Sequence, residues 1–407
     1  NMSKKATLTS KAYLLPFVLV TSLFFLWGFA RAILDVLNKH FQNVLDISIT
    51  QSSLIQVSTY LGYFIMAIPA GWFINRQGYR RGVVFGLLLF GIGAFMFIPG
   101  ALAGSFYGYL VALFVIGCGL VFLETSANPY VTELGDPQTS TARLNFSQSF
   151  NGLGSMTATL AIGQFLFSGD ADSDDIVKPY IILGFLVLLI AVVFSRVDLP
   201  EIKHKETEED RMQDTRIMKL FRHHPMFVFG LFSLLAYEVA EISINSYFIN
   251  FVTGQGWMAD DTASLVLTCA LGFFMIGRFI GAWIMRRVKA ETMLLICGIG
   301  TVTCMGLVLL NLGRLSMMAL ICNYFFEAIM FPTIFSLALR GLGNLTKSAS
   351  SLLMMTPIGG CGFLLMGIVH DATNLVTPFI IPFVCFFVVL IYASELTRNG
   401  KQLVLTL

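Results

Sequence analysis

Gly71-Trp72-Phe73-Ile74-Asn75-Arg76-Gln77-Gly78-Tyr79-Arg80-Arg81 joins two apolar stretches, 50–74 and 80–100, and carries three arginines between them. Each flanking stretch is long enough to cross a bilayer as a helix, which takes about 20 predominantly apolar residues. The same pattern recurs on either side of this loop. We expect twelve spanning helices, at about 13–37, 50–74, 80–100, 106–134, 141–167, 178–196, 225–252, 260–286, 291–311, 315–340, 347–370 and 375–394. Composition agrees: 56% of the 407 residues are hydrophobic and 12% charged, where a soluble domain carries about 25% charged residues. This is an all-α integral membrane protein. A net charge of +2 argues against a nucleic-acid partner.

Orientation follows from the connections, because loops rich in Lys and Arg stay on the cytoplasmic side. With the N-terminus inside, that side holds 21 of the 26 basic residues, including Arg76, Arg80, Arg81, Arg143, Arg286 and Arg340; the other side holds Lys39, Lys178 and Arg314. Both termini are therefore expected in the cytoplasm. Leu14 to Ala30 is too long for the apolar core of a signal peptide, and no small-residue cleavage site follows it, so no leader is expected. The only long hydrophilic stretch, 197–224, divides the chain into six-helix bundles at 1–196 and 225–407. It reads either as a solvated linker or as an amphipathic helix on the inner leaflet.

The halves resemble each other. Gly71-Trp72-Phe73-Ile74-Asn75-Arg76 corresponds to Gly281-Ala282-Trp283-Ile284-Met285-Arg286. Glu124 precedes Pro129 by five residues, and Glu327 precedes Pro332 by five. Parallel halves of this kind mark the major facilitator architecture, two pseudo-symmetric six-helix bundles. The loop from Gly71 to Arg81 resembles that superfamily's G-x-x-x-D-R-x-G-x-R/K-R/K signature, with Asn75 where Asp is usual. Gly71 and Gly78 would permit close helix approach and a tight turn. Arg76, with Arg80 and Arg81, would gate the cytoplasmic ends of the bundles.

Five carboxylates fall inside the apolar stretches: Asp35, Glu124, Glu238, Glu241 and Glu327. A charge at the bilayer centre costs about 2.5–3.5 kcal/mol even on the lenient insertion scale, so such groups usually face the bundle interior and bind protons, ions or substrate. Arg31 lies one turn before Asp35 on the same helix face, close enough to pair; the pair is either structural or part of a titrating path. On helix four, Glu124, Asn128 and Pro129 place a carboxylate, an amide and a helix break within two turns, and Pro129 cannot donate to the carbonyl of Thr125. Helix five carries Asn145, Gln148 and Asn151 at i, i+3 and i+6. Such amides recognise sugar hydroxyls or act as interhelical glue. Helix seven adds Glu238, Glu241 and Asn245. The run Met354 to Gly362 on helix eleven, with Gly359, Gly360 and Gly362, is broken enough to bend, or serves close packing.

The segments L-E-T-S-A-N-P-Y-V-T (Leu123–Thr132), L-N-F-S-Q-S-F-N-G-L-G (Leu144–Gly154), I-G-R-F-I-G-A-W (Ile276–Trp283) and F-P-T-I-F-S-L-A-L-R-G-L-G (Phe331–Gly343) resemble the fucose–galactose–glucose–proton symporter family. The resemblance extends from Leu14 to about Ile391 and implies a proton-driven sugar uptake carrier of the bacterial inner membrane, acting as a monomer. Proton coupling would fall to Asp35 and Glu124. Sugar binding would fall to Glu124, Asn128, Asn145, Gln148, Asn151, Glu241, Asn245 and Glu327. L-fucose is the first candidate, with galactose, glucose and N-acetylglucosamine open. Helix one departs from the family's pattern, with Arg31 and Leu34 where amides flank the aspartate, and the helix-seven stretch from Ala240 is nearer the glucose/galactose members.

Other chemistries lack their parts. The seven cysteines sit in apolar segments without C-x-x-C or zinc spacing, and no cofactor is expected beyond the proton as coupling ion. Four of the five histidines fall in loops or at helix ends, and His370, before Asp371, reads as a cap or solvated exit, which argues against an enzyme. A proton-driven exporter of drugs or metabolites on the same fold is the alternative, though such cavities tend to lack an amide stripe. A sugar-sensing receptor derived from a carrier is a further one.

Overall fold

The computed structural model describes residues 7–136, 140–170, 172–201, 213–285, 287–342 and 345–405. Every expected spanning stretch is helical. The first six helices are α1 (Leu14–Leu45), α2 (Leu54–Gln77), α3 (Tyr79–Phe95, continued by Phe97–Leu102), α4 (Phe106–Thr132), α5 (Ser140–Phe167) and α6 (Val177–Arg196). Then follow α7 (Pro225–Gly254), α8 (Asp260–Ile284), α9 (Ala290–Leu309), α10 (Arg314–Glu327, then Met330–Ala338), α11 (Thr346–Leu353, a 3-10 segment Thr356–Gly362, then Phe363–Ala372) and α12 (Ile380–Leu405). Among the described residues, eleven helices are long and apolar enough to cross a membrane. The twelfth, α5, is long enough, but its Ser, Thr, Asn and Gln residues lower its hydropathy.

The chain folds into two compact units. One holds α1–α6; the other holds α7–α12 together with the short segment Ile47–Ser53 between α1 and α2. In that segment the backbone N–H of Thr50 donates to Asp371 Oδ2 at 3.3 Å, and the Thr50 hydroxyl donates to the same oxygen. His370 Nδ1 lies 3.1 Å from Asp371 Oδ1. Within the expected linker, Gln213–His223 is a helix. Residues 202–212 of that linker, and Arg286, lie outside the described residues.

Backbones meet where the sequence supplies glycine. A Cβ on Gly28 of α1 would lie 2.2 Å from the carbonyl oxygen of Asn151 on α5, and one on Gly154 would lie 2.2 Å from that of Phe25. The α2–α4 contact repeats the device: a Cβ on Gly117 would lie 2.1 Å from the Thr59 carbonyl oxygen, and one on Gly62 2.4 Å from that of Phe114. Small residues at these crossings let helices approach closely where lipid provides no hydrophobic drive between them. Gly71 does not take this part, since a Cβ there meets nothing within 4 Å. Gly78 does make the expected tight turn, with φ +90°.

Two helices depart from their expected limits for local reasons. The polar run Asn38-Lys39-His40 suggests an end for α1 near residue 37, yet the helix continues to Leu45. Asn38 Nδ2 bonds the carbonyls of Leu34 (3.2 Å) and Asp35 (3.0 Å), and Gln56 Nε2 of α2 reaches the Leu34 carbonyl at 3.1 Å. These polar groups are satisfied inside the unit, so the helix need not end. Pro129 and Pro332 act differently despite their matching positions. α4 runs through Pro129, whereas α10 breaks two residues ahead of Met330.

Candidate proton and sugar sites

In the N-terminal unit the polar groups gather on α1, α2, α4 and α5. Asp35 is buried on α1. Arg31, one turn earlier, places its guanidinium 5.5 Å from the centroid of the Tyr60 ring on α2, with Nε 3.4 Å from the Tyr60 hydroxyl. Its charge acts on Glu124 of α4. Glu124 is half-buried, and its Oε2 is shielded from solvent with no hydrogen-bond partner. One turn on, Asn128 Oδ1 accepts from Gln148 Nε2 of α5 at 3.3 Å. A carboxylate oxygen without a donor thus lies one turn before Asn128, whose amide is paired across helices with Gln148, and such amides can both donate and accept.

The helix-five stripe divides into different environments. Gln148 and Asn151 are half-buried, and Asn151 Nδ2 donates to the Phe24 carbonyl of α1 at 3.2 Å. Asn145 is exposed. A spacing of i, i+3, i+6 falls about 120° short of two full turns on a helix of 3.6 residues per turn, so the stripe winds away from one face at its ends.

The C-terminal unit builds a second cluster on α7, α8 and α10. Tyr237, Glu241 and Asn245 follow at i, i+4 and i+8 along one face of α7: Tyr237 is buried, the other two half-buried. Glu238 is buried on the adjoining face. Glu327 of α10 is fully buried, and its Oε2 accepts from Asn323 Nδ2 at 3.2 Å. Pro332 has no N–H to offer the Ala328 carbonyl four residues back. Arg278 of α8 supplies the missing donor through Nε at 3.1 Å, which pins the α10 break. Proline four residues after Ala328 is the sequence signal that this carbonyl needs an outside donor such as Arg278. Tyr60, Tyr237 and Asn323 also belong to these clusters, and nothing in their spacing sets them apart from packing residues.

The Gly71–Arg81 loop folds onto its own unit. The Arg76 guanidinium sits 4.4 Å from the Trp72 ring centroid, and Asn75 is exposed. Arg80 caps the end of α6, with Nε donating to the Phe194 carbonyl at 3.1 Å and Nη2 to that of Ser195. Arg81 bonds Gln77. Cations at a helix C-terminus stabilise its unpaired carbonyls.

Among the described residues, eleven helices long and apolar enough to cross a membrane, together with α5, two compact helical units and buried carboxylates, fit a multi-pass membrane protein. The family model of the Major Facilitator Superfamily matches residues 20–363. A glucose/galactose transporter of Brucella abortus is 32% identical over 395 residues, covering 95% of each chain. An L-fucose-proton symporter of Escherichia coli is 34% identical over 427 residues, covering 97% of this chain and 95% of that one. A crystal structure of the E. coli fucose:proton symporter superposes with a TM-score of 0.71 at 32% identity, over 95% of this chain and 99% of that one. That of a D-xylose-proton symporter, 14% identical with a TM-score of 0.72, shares the fold. The chain belongs to the major facilitator superfamily, in the branch of the fucose–galactose–glucose–proton symporters; it is a transporter and not an enzyme.

Proposed function

We propose that this carrier takes a neutral monosaccharide into the cell together with protons, by alternating access, in a bacterial inner membrane with both termini cytoplasmic. It works as a monomer in the lipid bilayer, with the proton as coupling ion and no other cofactor. The observation that carries this reading is the state of Glu124: a shielded carboxylate oxygen without a partner, one turn before Asn128, which pairs with Gln148 of α5. Empty, Glu124 is charged. Protonation removes the cost of carrying that charge through an occluded, low-dielectric state. Sugar hydroxyls then replace water at Glu124, Asn128, Gln148 and Asn151, and Asp35 shares the proton traffic. Glu241, Asn245 and Glu327 extend the sugar-binding set in the C-terminal unit, with Asn145 at its margin. A charged substrate would want surplus cations, whereas each cluster holds one arginine, Arg31 or Arg278, beside two or more carboxylates.

L-fucose is the first candidate; both relatives named above carry hexose-type sugars by their names. Counterflow in proteoliposomes with L-fucose, galactose, glucose and N-acetylglucosamine identifies the cargo without any need for a proton gradient. One sugar is expected to exchange, and Gln148→Ala should raise its half-saturation concentration about tenfold, the equivalent of one lost hydrogen bond of about 1.4 kcal/mol. Exchange of none of the four would turn the reading toward another cargo.

A further inference from the structure

Glu327 is buried more completely than Glu124, and the residues around it are arranged unlike a structural ion pair. Its Oε2 has one partner, the neutral amide of Asn323. Its Oε1 is shielded from solvent and has none. The arginine of this cluster, Arg278, donates to the Ala328 carbonyl. The Tyr237 hydroxyl, Asn245 Oδ1 and Asn323 Oδ1 are among the other polar atoms of the same unit that are shielded from solvent without a hydrogen-bond partner. A permanent carboxylate at this position would be a buried charge without a bonded counter-ion, costing several kcal/mol. A permanent carboxylic acid can donate from Oε2 to the Asn323 amide oxygen with that amide turned over, and still leaves Oε1 without a partner. Neither fixed form satisfies both oxygens, as expected of a group that changes form when a ligand arrives.

A second carboxylate lies in the electrostatic surroundings of Glu327. Glu241 on α7 is half-buried and acts electrostatically on Glu327, and both act on Tyr237. The other ionisable groups facing this cluster are Glu238 and Tyr237 on α7, Arg278 on α8, Cys304 on α9, and Cys322 and Tyr324 on α10. Of the three carboxylates, Glu241 is half-buried, whereas Glu238 and Glu327 are buried.

We propose that Glu327 carries a second proton in each transport cycle, received from water by way of Glu241, in addition to the proton carried in the N-terminal unit. The step forms one O–H bond on Glu327 in the loaded carrier and breaks it on release; nothing else is exchanged. The neutral acid then donates to a sugar hydroxyl or to an orphaned acceptor such as Asn323 Oδ1. This inference rests on the symport reading above and deepens it.

The test is the sugar ratio at which net flux vanishes in proteoliposomes under a fixed proton-motive force. At about 59 mV, one coupled proton supports a tenfold ratio and two support a ratio of about 100. Wild-type carrier is expected to give about 100 and Glu327→Gln about ten, because glutamine keeps the shape of the acid and cannot release a proton. The zero-flux ratio does not depend on how fast a variant works. If Glu327→Gln is too slow to read, proton uptake on sugar binding to purified protein, followed with an indicator dye, replaces it: two protons per sugar in wild type and one in the variant. Equal values in the two proteins, or a wild-type ratio of ten, overturn the second proton while leaving symport intact. Absence of any proton-driven flux in wild type overturns symport itself, and this inference with it.

Discussion

Glu124→Gln is expected to cut sugar uptake at low sugar concentration by between about tenfold and 100-fold, and to blunt its stimulation by external acid. Two losses combine. A hydrogen bond from a sugar hydroxyl to a charged acceptor is worth about 1.5–3 kcal/mol, which is the larger part of that factor. Glutamine also cannot shed a proton, so the emptied carrier no longer resets by ionising at this position. The substitution is nearly isosteric and leaves the α2–α4 glycine contact untouched, so the protein should still fold. Initial rates of labelled-sugar uptake at two external pH values measure both effects. Uptake and acid stimulation equal to wild type would make Glu124 a packing residue and remove it from the transport chemistry.

The second large effect is structural and concerns Arg143. The sequence places it among the cytoplasmic positive charges, yet it is fully buried at the start of α5. Nε donates to the Val131 carbonyl at 3.1 Å, Nη2 to that of Thr132, and Nη1 to the carbonyls of Leu8 (3.1 Å) and Asp136 (3.0 Å). The guanidinium therefore closes the C-terminal end of α4 and ties the N-terminal segment to it. A cation at this end is favourable toward the helix dipole, and each carbonyl left buried without a donor costs about 1–3 kcal/mol. Arg143→Met, which keeps the apolar stem, should destabilise the carrier by about 4 kcal/mol. Thermal unfolding of detergent-purified protein, followed by size-exclusion fluorescence, should show a drop of many degrees and poor recovery. A shift of a degree or less would mean that water or other donors take over these carbonyls.

The fold was legible because membrane insertion leaves a coarse signal. Twelve apolar runs of helical length, separated by loops with a one-sided bias in Lys and Arg, set the element count before any contact is known. Where the reading missed, the deciding quantity was a local hydrogen bond or a neighbour's backbone. Asn38 looks like a terminator until its amide is seen to bond the preceding turn. Gly71 looks like a contact glycine because of its motif, but the close approaches are made by Gly28, Gly62, Gly117 and Gly154. The matching Glu–Pro spacings predict like behaviour for α4 and α10, and only α10 breaks, with Arg278 taking the orphaned carbonyl. The buried acids were legible one by one, because their cost in lipid singles them out. Their partners were not: Tyr60 beside Arg31 and Asn323 beside Glu327 are ordinary residues on separate turns or helices until folding brings them together.

The central claim is that proton entry drives sugar entry. Its most direct test is accumulation of the sugar that exchanges in counterflow, in proteoliposomes of wild-type carrier with an imposed inward proton gradient. Internal sugar should rise well above the bath level and fall back when a protonophore collapses the gradient. Uptake that only equalises the two sides, with the same time course whether or not the gradient is present, would contradict it.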